Sequence, residues 1–241
     1  MVKNLCIVQA RLTSNRLPNK VLLELGDSKL SILEHVYLRL KETKNIDQIV
    51  FAIPDSLTNK PLMEFLRIHD IPFFCGDEDD VLGRFYQCAL IYKPELVIRA
   101  TCDNPFVDWH FADILIEQLG DNDYISCDTA PLGTIVEVFK FASLVQAYKE
   151  AHKPEDREHV TPYLYTNKSL FSFNDIPYYL DLKDKYRLTV DTLADYELAN
   201  RIYKNLYHGK PIENRSIYTY LSENRDLLSI NKDVNQKVLG E

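Results

Sequence analysis

The stretch IVQARLTSNRLPNKVLLEL, residues 7–25, decides the fold of this chain. It opens on the end of an apolar run, residues 5–8, that has the length and composition of a short buried strand. The loop after this run is basic and polar. Between positions 11 and 20 it carries Arg11, Thr13, Ser14, Arg16 and Lys20. The stretch therefore predicts a strand, a basic loop and a helix in succession.

The position of this loop indicates what it binds. In doubly wound sheets, ligands bind at the carboxyl ends of the strands, where this loop would lie. Main-chain N–H groups, forked guanidinium groups and a lysine ammonium are suitable donors for phosphate oxygens. We therefore expect the loop to hold the phosphates of a nucleotide, and an ordinary solvated turn with surface cations is the alternative. Neither GxGxxG nor GxxxxGK[ST] occurs in the sequence, which argues against a dinucleotide dehydrogenase and a P-loop kinase or ATPase.

The rest of the first half alternates short apolar runs with helical patterns. Strands are predicted at 49–53, 72–74, 96–100 and 124–126, and helices at 31–40, 61–69, 80–92 and 111–119. Such alternation is typical of parallel strands joined by crossover helices. The sequence thus predicts an α/β fold with a doubly wound, mostly parallel Rossmann-like sheet.

The second half is less regular. Its pattern predicts an antiparallel strand at 133–139, helices at 143–151, 158–166 and 194–207, a strand at 186–190, and a terminal helix with a loose end from 217. No linker or repeat divides the chain. We expect residues 1–241 to form a single domain, with a small antiparallel excursion at about 129–180 that serves acceptor binding or dimerisation.

Bulk properties exclude several classes of protein. The formal net charge of -8 argues against a general nucleic-acid binder, which needs a basic face. No apolar run approaches the roughly 20 residues that cross a bilayer, and the start of the chain has no signal-peptide pattern. Five widely spaced cysteines without a CxxC pair are expected to be reduced and mostly buried. We therefore expect a cytoplasmic protein without a nucleic-acid or membrane partner.

Two aspartates follow predicted strands at the same edge of the sheet as the basic loop. Asp103 comes after the strand at 96–100, and Asp191 after the strand at 186–190. Two carboxylates that converge from separate strands can hold Mg²⁺. Taken singly, Asp103 before Asn104 and Pro105 could be a turn former, and Asp191 with Thr192 could begin a helix.

Residues 9–20 resemble the opening motif of a known family. The pattern QAR-x-x-S-x-RLP-x-K opens the cytidylyltransferases that activate acidic sugars, among them the CMP-KDO and CMP-sialate synthetases and, most closely, the spore-coat polysaccharide F-type proteins. Its fixed positions are met by Gln9, Ala10, Arg11, Ser14, Arg16, Leu17, Pro18 and Lys20. Asn19 replaces the usual glycine, and asparagine tolerates a positive φ better than most residues.

Further motifs follow in the family's order. RATCDNPFVD (99–108) is similar to R-x-T-G-D-x-P-x-I/V-D, and TVDTLADYEL (189–198) to T-V-D-T-P-E-D-Y-E-L. The resemblance implies that Asp103 and Asp191 bind magnesium, whereas Asp195 is expected at the helix start. Cys102 stands where glycine is usual, and its side chain is expected to narrow the approach of the nucleotide.

The resemblance also implies nucleotide-binding and acceptor-binding residues. GDEDDVLGRFYQ (76–87) is similar to the family's G-D-E-x-D-V-L-x-R-Y/F, which would place Arg84 at the nucleotide pocket. The implied nucleotide-binding set is Gln9, Ala10, Arg11, Ser14, Arg16, Lys20 and Arg84. PLGTIVEVF (131–139) and REHVTPY (157–163) would place Glu137, Arg157 and His159 at the acceptor pocket or a dimer contact. On chemistry alone, Arg84 could be a surface charge and His159 a structural histidine.

The resemblance implies a nucleotidyltransferase that transfers CMP from CTP to a sugar acid or related polysaccharide precursor. Arg11, Arg16 and Lys20 would hold the triphosphate and stabilise developing charge. A glycosyltransferase is a second hypothesis, but Asp121-Asn122-Asp123, its candidate DxD motif, precedes a predicted strand. A non-catalytic nucleotide-binding subunit is a third.

The family generally forms homodimers. The tyrosine-rich part of the excursion fits an interface, and burial in the core is the alternative. The tyrosines in question are Tyr163, Tyr165, Tyr178 and Tyr179.

Overall fold

The computed structural model describes residues 2–236 of the chain. Within this range seven strands form one sheet: β1 (Asn4–Gln9), β2 (Gln48–Pro54), β3 (Phe73–Gly76), β4 (Leu96–Thr101), β5 (Tyr124–Ser126), β6 (Glu137–Lys140) and β7 (Phe173–Asp175). Their order across the sheet is β3-β2-β1-β4-β6-β5-β7. β1 lies inside the sheet and pairs in parallel with β2 and β4, so the predicted doubly wound arrangement is confirmed.

The same range contains the helices α1 (Ile32–Leu40), α2 (Lys60–Ile68), α3 (Val81–Tyr92), α4 (Trp109–Gln118), α5 (Phe141–Glu150), α6 (Pro154–His159), α7 (Pro162–Thr166), α8 (Leu193–Leu206) and α9 (Asn214–Glu223). Local sequence explains where several begin. The Ser31 hydroxyl accepts from the Glu34 N–H, and the Glu34 carboxylate accepts from the Ser31 N–H, so α1 has the predicted capping box. Asp80 accepts from the Gly83 N–H at the start of α3.

Both faces of the sheet are covered by helices. Along β1, Leu5 and Ile7 face one apolar cluster, while Cys6 and Val8 face the other. Residues of α3, α5 and α7 belong to the first cluster, and residues of α1, α2, α4, α8 and α9 to the second. Burial on both faces explains why the central strands read as continuous apolar runs instead of alternating ones.

β6 runs opposite to its neighbours. It pairs antiparallel with both β4 and β5, which confirms the antiparallel strand predicted from the sequence. In this register Glu137 lies opposite Arg99, so the first residue of β6 is beside the carboxyl end of β4. A residue remote in sequence is thereby brought to the edge where the basic loop leaves β1.

The segment 129–180, predicted as an excursion, contributes β6 and β7 to the main sheet. Its helices α5 and α7 help to cover one face. The segment is therefore part of the sheet architecture, and its roles in acceptor binding and dimerisation stay predictions.

Three predicted elements are wrong. The helix expected after the basic loop, within residues 7–25, is a single 3-10 turn at Lys20–Leu22, because the backbone becomes extended again at Leu23. The helix expected at 158–166 is divided into α6 and α7, because Val160 has φ 71° and the Thr161 N–H donates to the His159 carbonyl at 2.9 Å, which closes a tight γ-turn. The strand expected at 186–190 is an extended segment that joins no strand of the sheet and forms an isolated parallel bridge between Arg187 and Leu132. Its Leu188 N–H donates to the Leu132 carbonyl and its Val190 N–H to the Asp103 carbonyl, both at 2.8 Å.

Gly133 lets this extended segment approach the 131–134 turn. It has φ +88°, and an added Cβ would clash with the Thr189 nitrogen and lie 2.8 Å from the Leu188 carbonyl carbon. We expect Gly133→Ala to lower the free energy of unfolding by about 1–3 kcal/mol, because backbone strain and displacement of the segment add together. Urea denaturation followed by circular dichroism measures this change.

Gly209→Ala is the matched control. Gly209 has φ +84°, but nothing lies within 4 Å of its added Cβ, so this variant bears the strain without the clash. The loss should therefore be larger for Gly133→Ala. Equal losses would show that the contact with the extended segment contributes nothing.

Other expectations concern cysteines, membranes and the chain's end. All five cysteines are free, and Cys75 is the half-buried one while the rest are buried. Within residues 2–236 no helix is both long and apolar enough to traverse a bilayer. The predicted loose end extends over residues 237–241, which lie outside the described residues.

Candidate active site

The basic loop returns on itself after β1. The Leu12 N–H donates to Asn59 Oδ1 at 2.8 Å, and the Leu12 carbonyl accepts from the Asn19 N–H at 3.1 Å. Asn59 is fully buried, so this contact fixes the start of the loop against the chain before α2. Asn19 has φ 57° and ψ 17°, which confirms that asparagine supports the left-handed turn at the glycine position. The turn directs Lys20 inward.

Lys20 lies between the two aspartates predicted to bind metal. Its ammonium donates to Asp103 Oδ2 at 2.8 Å and to Asp191 Oδ1 at 2.9 Å. The Lys20 side chain is 9% exposed and that of Asp191 11% exposed, whereas Asp103 is more open at 28%. The structure therefore brings together a loop cation and both carboxylates.

Asp191 is also bound by two arginines. Arg16 lies 3.1 Å from Asp191 Oδ2, and Arg187 donates to the same oxygen at 2.8 Å. Arg187 continues to Asp195, whose Oδ1 accepts from its Nε at 2.9 Å. Asp195 caps α8 together with Thr192, as predicted for the helix start. Arg187 thus links Asp191 to Asp195 at the start of α8 and orients both carboxylates.

The extended segment sets the position of Asp191. Because the Val190 N–H donates to the Asp103 carbonyl, the two aspartate-bearing segments are joined by a backbone hydrogen bond. The Thr192 hydroxyl accepts from the Asp195 N–H, so α8 begins directly after Asp191. The sequence allowed Asp191 to be either a site residue or, with Thr192, the start of a helix. In the structure Thr192 caps the helix, and Asp191 faces the cations.

The charges of this cluster support one another. Burial works to lower the pKa of Lys20, but Asp103 and Asp191 outweigh it and raise that pKa above its usual value. Burial works to raise the pKa of Asp191, but Lys20, Arg16 and Arg187 outweigh it and hold that pKa below its usual value. Both Lys20 and Asp191 are therefore charged at neutral pH.

The donor set fits magnesium. Among residues 2–236 no group of three or more His, Cys, Asp or Glu side chains could hold a metal ion. Mg²⁺ is commonly bound through one or two carboxylates, with substrate phosphates and waters as the remaining ligands. Asp103 and Asp191 would supply the protein ligands of such a site.

Cys102 does not narrow the approach to this cluster. Its side chain is buried in the apolar core beneath the sheet edge, with 1% exposure, and its N–H donates to the Gln9 carbonyl at 2.9 Å. The expectation from the missing glycine is therefore wrong, because the side chain points into the core.

A second polar network lies where β4, β5 and β6 meet. Arg99 donates to the Glu137 carboxylate, and Glu137 also accepts from the Tyr124 hydroxyl. A longer bond of 3.4 Å joins Arg99 to Gln9 Oε1. Glu137 and Gln9, predicted to bind acceptor and nucleotide respectively, are thus joined through Arg99.

Arg11 lies at the exposed rim of the loop, close enough to influence two predicted site residues. Burial lowers the pKa of Arg84 to about 10, and the charge of Arg11 adds to this effect. Burial also lowers the pKa of His159, where Arg99 and Arg11 act in the same direction against Glu158. Arg84 is buried and donates to the carbonyls of Asp77 and Glu78, so the surface-charge alternative is wrong.

The remaining predicted residues have mainly structural contacts. Ala10 is buried and its N–H donates to the Ala52 carbonyl at 3.3 Å. The Ser14 hydroxyl accepts a long bond of 3.4 Å from the Leu17 N–H within the loop. Arg157 binds Asp80, donates to the Tyr148 carbonyl at 3.0 Å and lies over the Tyr148 ring, so it joins α6 to α3 and α5.

Sequence reasoning gave no role to Arg99, Tyr124, Arg187 and Asn59. A signal existed for Arg99 and Arg187, which lie inside or just before the quoted motifs. Tyr124 and Asn59 carry no local signal, because each acts through a contact made by the fold.

A doubly wound sheet with a basic loop after its first strand and two carboxylates beside that loop is the framework of a nucleotidyltransferase. Residues 5–229 match the family model described as cytidylyltransferase. The chain belongs to the cytidylyltransferase family and is a CTP-using nucleotidyltransferase.

Two individual relatives are similar in sequence to nearly the whole chain. An uncharacterized protein of Methanocaldococcus jannaschii is 38% identical over 244 residues, covering 100% of this chain and 99% of its own. The spore coat polysaccharide biosynthesis protein SpsF of Bacillus subtilis is 34% identical over 235 residues, covering 92% of this chain and 95% of its own. The predicted resemblance is confirmed.

Solved structures agree with the fold. A cytidylyltransferase from Leptospira borgpetersenii superimposes with a TM-score of 0.87 at 26% identity, covering 99% of each chain. A CMP:2-keto-3-deoxy-manno-octonic acid synthetase in complex with CTP gives a TM-score of 0.65 at 14% identity, covering 83% of this chain and 98% of its own. The second likeness shows the shared fold.

Proposed function

We propose that this enzyme transfers CMP from CTP to a sugar acid or a related polysaccharide precursor, releases pyrophosphate and uses Mg²⁺. The observation that carries the proposal is the meeting of Lys20 and Arg16 with Asp103 and Asp191 at the carboxyl end of the sheet. Cations for a triphosphate and carboxylates for a metal ion are the two requirements of phosphoryl-type transfer.

In the reaction, an acceptor hydroxyl attacks the α-phosphorus of CTP. A new bond forms between that oxygen and phosphorus, the bond to the bridging oxygen of the pyrophosphate breaks in line, and the hydroxyl proton passes to water. Arg11, Arg16 and Lys20 hold the triphosphate and stabilise the charge that develops on it. Asp103 and Asp191 would hold the metal. When bound, Mg²⁺ orients the phosphate oxygens and offsets charge on the leaving group.

The polar network around Arg99 supports an acceptor pocket beside the phosphates. Glu137 is 16% exposed at its side chain, and its carboxylate is held from two sides by Arg99 and Tyr124. A fixed carboxylate can accept hydrogen bonds from sugar hydroxyls. The pKa of His159 is lowered first by burial and then by the charges of Arg99 and Arg11, which supports a position of the imidazole near this network. Arg157 acts on acceptor binding by positioning α6.

The SpsF relative is described as a polysaccharide biosynthesis protein, which supports a carbohydrate acceptor. The glycosyltransferase hypothesis has less support, because Asp123 of the candidate DxD motif accepts from the Ser172 N–H and hydroxyl at 2.9 and 2.8 Å. Its carboxylate is thus engaged in joining β5 to the chain before β7.

A homodimer is part of the proposal. Tyr178 is buried and bonded to Tyr218 at 2.9 Å, so it belongs to the core and offers no interface. Tyr179 is 37% exposed, and Tyr163 and Tyr165 are half-buried, so these three remain as interface candidates. Light scattering after size exclusion measures the state of assembly.

A panel of nucleotides and sugar acids, assayed for pyrophosphate release with Mg²⁺, tests the reaction. Calorimetry with each nucleotide separates binding from turnover. We expect CTP binding, and pyrophosphate release that depends on one class of sugar acid. A protein that binds another nucleoside triphosphate in preference to CTP, or that releases pyrophosphate only with non-acidic sugars, would contradict the proposal.

A further inference from the structure

In the ion cluster around Lys20, the positive and negative charges of the protein's own side chains are equal in number. Three cations, Lys20, Arg16 and Arg187, contact three carboxylates, those of Asp103, Asp191 and Asp195. Asp195 is further held by Asn231 and by backbone N–H groups, so its pairing with Arg187 is part of the fold. The cluster therefore needs no external ion to bring Asp103 and Asp191 together.

Lys20 is the member of the cluster that lies between the two metal-binding candidates. Its ammonium is 2.8 and 2.9 Å from their oxygens, and its side chain is 9% exposed. A Mg²⁺ ion bound by the same two oxygens would lie about 2.0–2.1 Å from each. A cation bound by these two oxygens would therefore lie against the Lys20 ammonium, and like charges at such distances repel strongly.

We propose that Lys20 is a built-in competitor for the divalent cation: its ammonium holds Asp103 and Asp191 until CTP arrives, and then moves to the phosphates as the metal takes the carboxylates. This inference rests on the proposed use of Mg²⁺. Lysine suits the role because its compact charge sits on a flexible four-carbon stem. The loop that carries Lys20 is also the proposed phosphate site, so the movement is short.

The consequence is coupled binding. When the metal binds, it displaces Lys20 and so lowers the free-energy cost of binding the triphosphate. Binding of the triphosphate favours the metal by the same amount, because such coupling is reciprocal. The enzyme would bind a divalent cation weakly without CTP, and tightly with it.

Replacement of Lys20 tests the competition directly. Mn²⁺ serves as the probe, and its binding to the protein without nucleotide is measured by electron paramagnetic resonance. We expect Lys20→Met to bind Mn²⁺ about 10-fold more tightly than the unchanged protein. Lys20→Arg retains a cation between the carboxylates and should show no gain. Lys183→Met, at an exposed lysine paired with Asp128, is the matched control and should also show none.

A double variant, Lys20→Met with Asp103→Asn, should lose the gain, because it lacks one of the carboxylates. If Lys20→Met does not fold, Lys20→Gln supplies the same charge change with a polar side chain. Equal Mn²⁺ affinity in the neutral variants and the unchanged protein would overturn the inference. The proposed function would still stand, because it is tested separately by pyrophosphate release from the unchanged protein. Absence of Mn²⁺ binding even with CTP would overturn both the inference and the proposed metal.

Discussion

Asp103→Asn and Asp191→Asn will each lower the rate of pyrophosphate release by about 10²–10³-fold, as expected when a group that stabilises transition-state charge is removed. Asparagine is close in size to aspartate but lacks the negative charge. At Asp103 the change leaves Lys20 bound to one carboxylate instead of two. At Asp191 it weakens contacts with Lys20, Arg16 and Arg187, so we expect the larger loss there. Steady-state assays at saturating CTP measure both.

Asp128→Asn is the control for these variants. Asp128 pairs with Lys183 at 3.0 Å, and the two side chains are 65% and 47% exposed, so the loss of this pair should leave turnover unchanged. Thermal unfolding should be recorded for each variant, so that loss of fold is distinguished from loss of chemistry. If turnover survives both substitutions, the two carboxylates have no part in the reaction. A non-catalytic subunit would show no turnover before or after the change.

The site was predictable where its signals are local. The capping box of α1 needs only Ser31 and Glu34, three positions apart, and the helix start at Asp195 is similarly contained in one short motif. The basic loop was also identified, since its cations and its turn-forming Asn19 lie together in the sequence. In each case the physical cause acts between near neighbours, so the sequence contains it entirely.

The sequence places Asp103 and Asp191 at the edge of the sheet where the loop lies, but their direct ion pairs with Lys20 could not be predicted from the loop. Asp103 is 83 positions away and Asp191 is 171 positions away, and their contact depends on how β4 and the extended segment are placed. The same reason explains the wrong strand at 186–190. Its residues have strand propensity, but the Leu132 and Asp103 carbonyls that receive its hydrogen bonds lie in two separate turns.

The division of α6 from α7 has a different cause. The pattern of residues 158–166 predicts one helix, but Pro162 would be its fifth residue and has no N–H to donate to the Glu158 carbonyl. Proline is tolerated in a first turn, and Pro162 is the first residue of α7. Val160 takes a positive φ while fully buried, a conformation that β-branched residues rarely adopt. Val160 belongs to the apolar cluster that contains residues of α3 and α5. Pro162 is therefore the local cause of the break, and burial of Val160 accounts for the strained turn at that point.

Arg39→Met will lower the free energy of unfolding by about 3–5 kcal/mol, because hydrogen bonds from a buried charged group are lost. Arg39 is 1% exposed on α1, and its guanidinium donates to the Val107 carbonyl at 2.8 Å and to the Ile212 carbonyl at 2.6 Å. It also bonds to Asn214 and lies 4.6 Å from the centre of the Trp109 ring. These contacts join α1 to the starts of α4 and α9.

Methionine keeps most of the apolar part of the Arg39 side chain and leaves little cavity. The loss of unfolding free energy therefore measures the missing guanidinium contacts. Urea denaturation measures the change, and Arg67→Met is the control. Arg67 pairs with Glu64 on the surface of α2 with 60% of its side chain exposed, and such pairs contribute about 0–1 kcal/mol. Because Arg39 does not contact the ion cluster, the variant should still bind CTP at temperatures where it is folded. A loss as small as that of Arg67→Met would mean that water or a rearranged chain satisfies the carbonyls, and α9 would then be held by its apolar face alone.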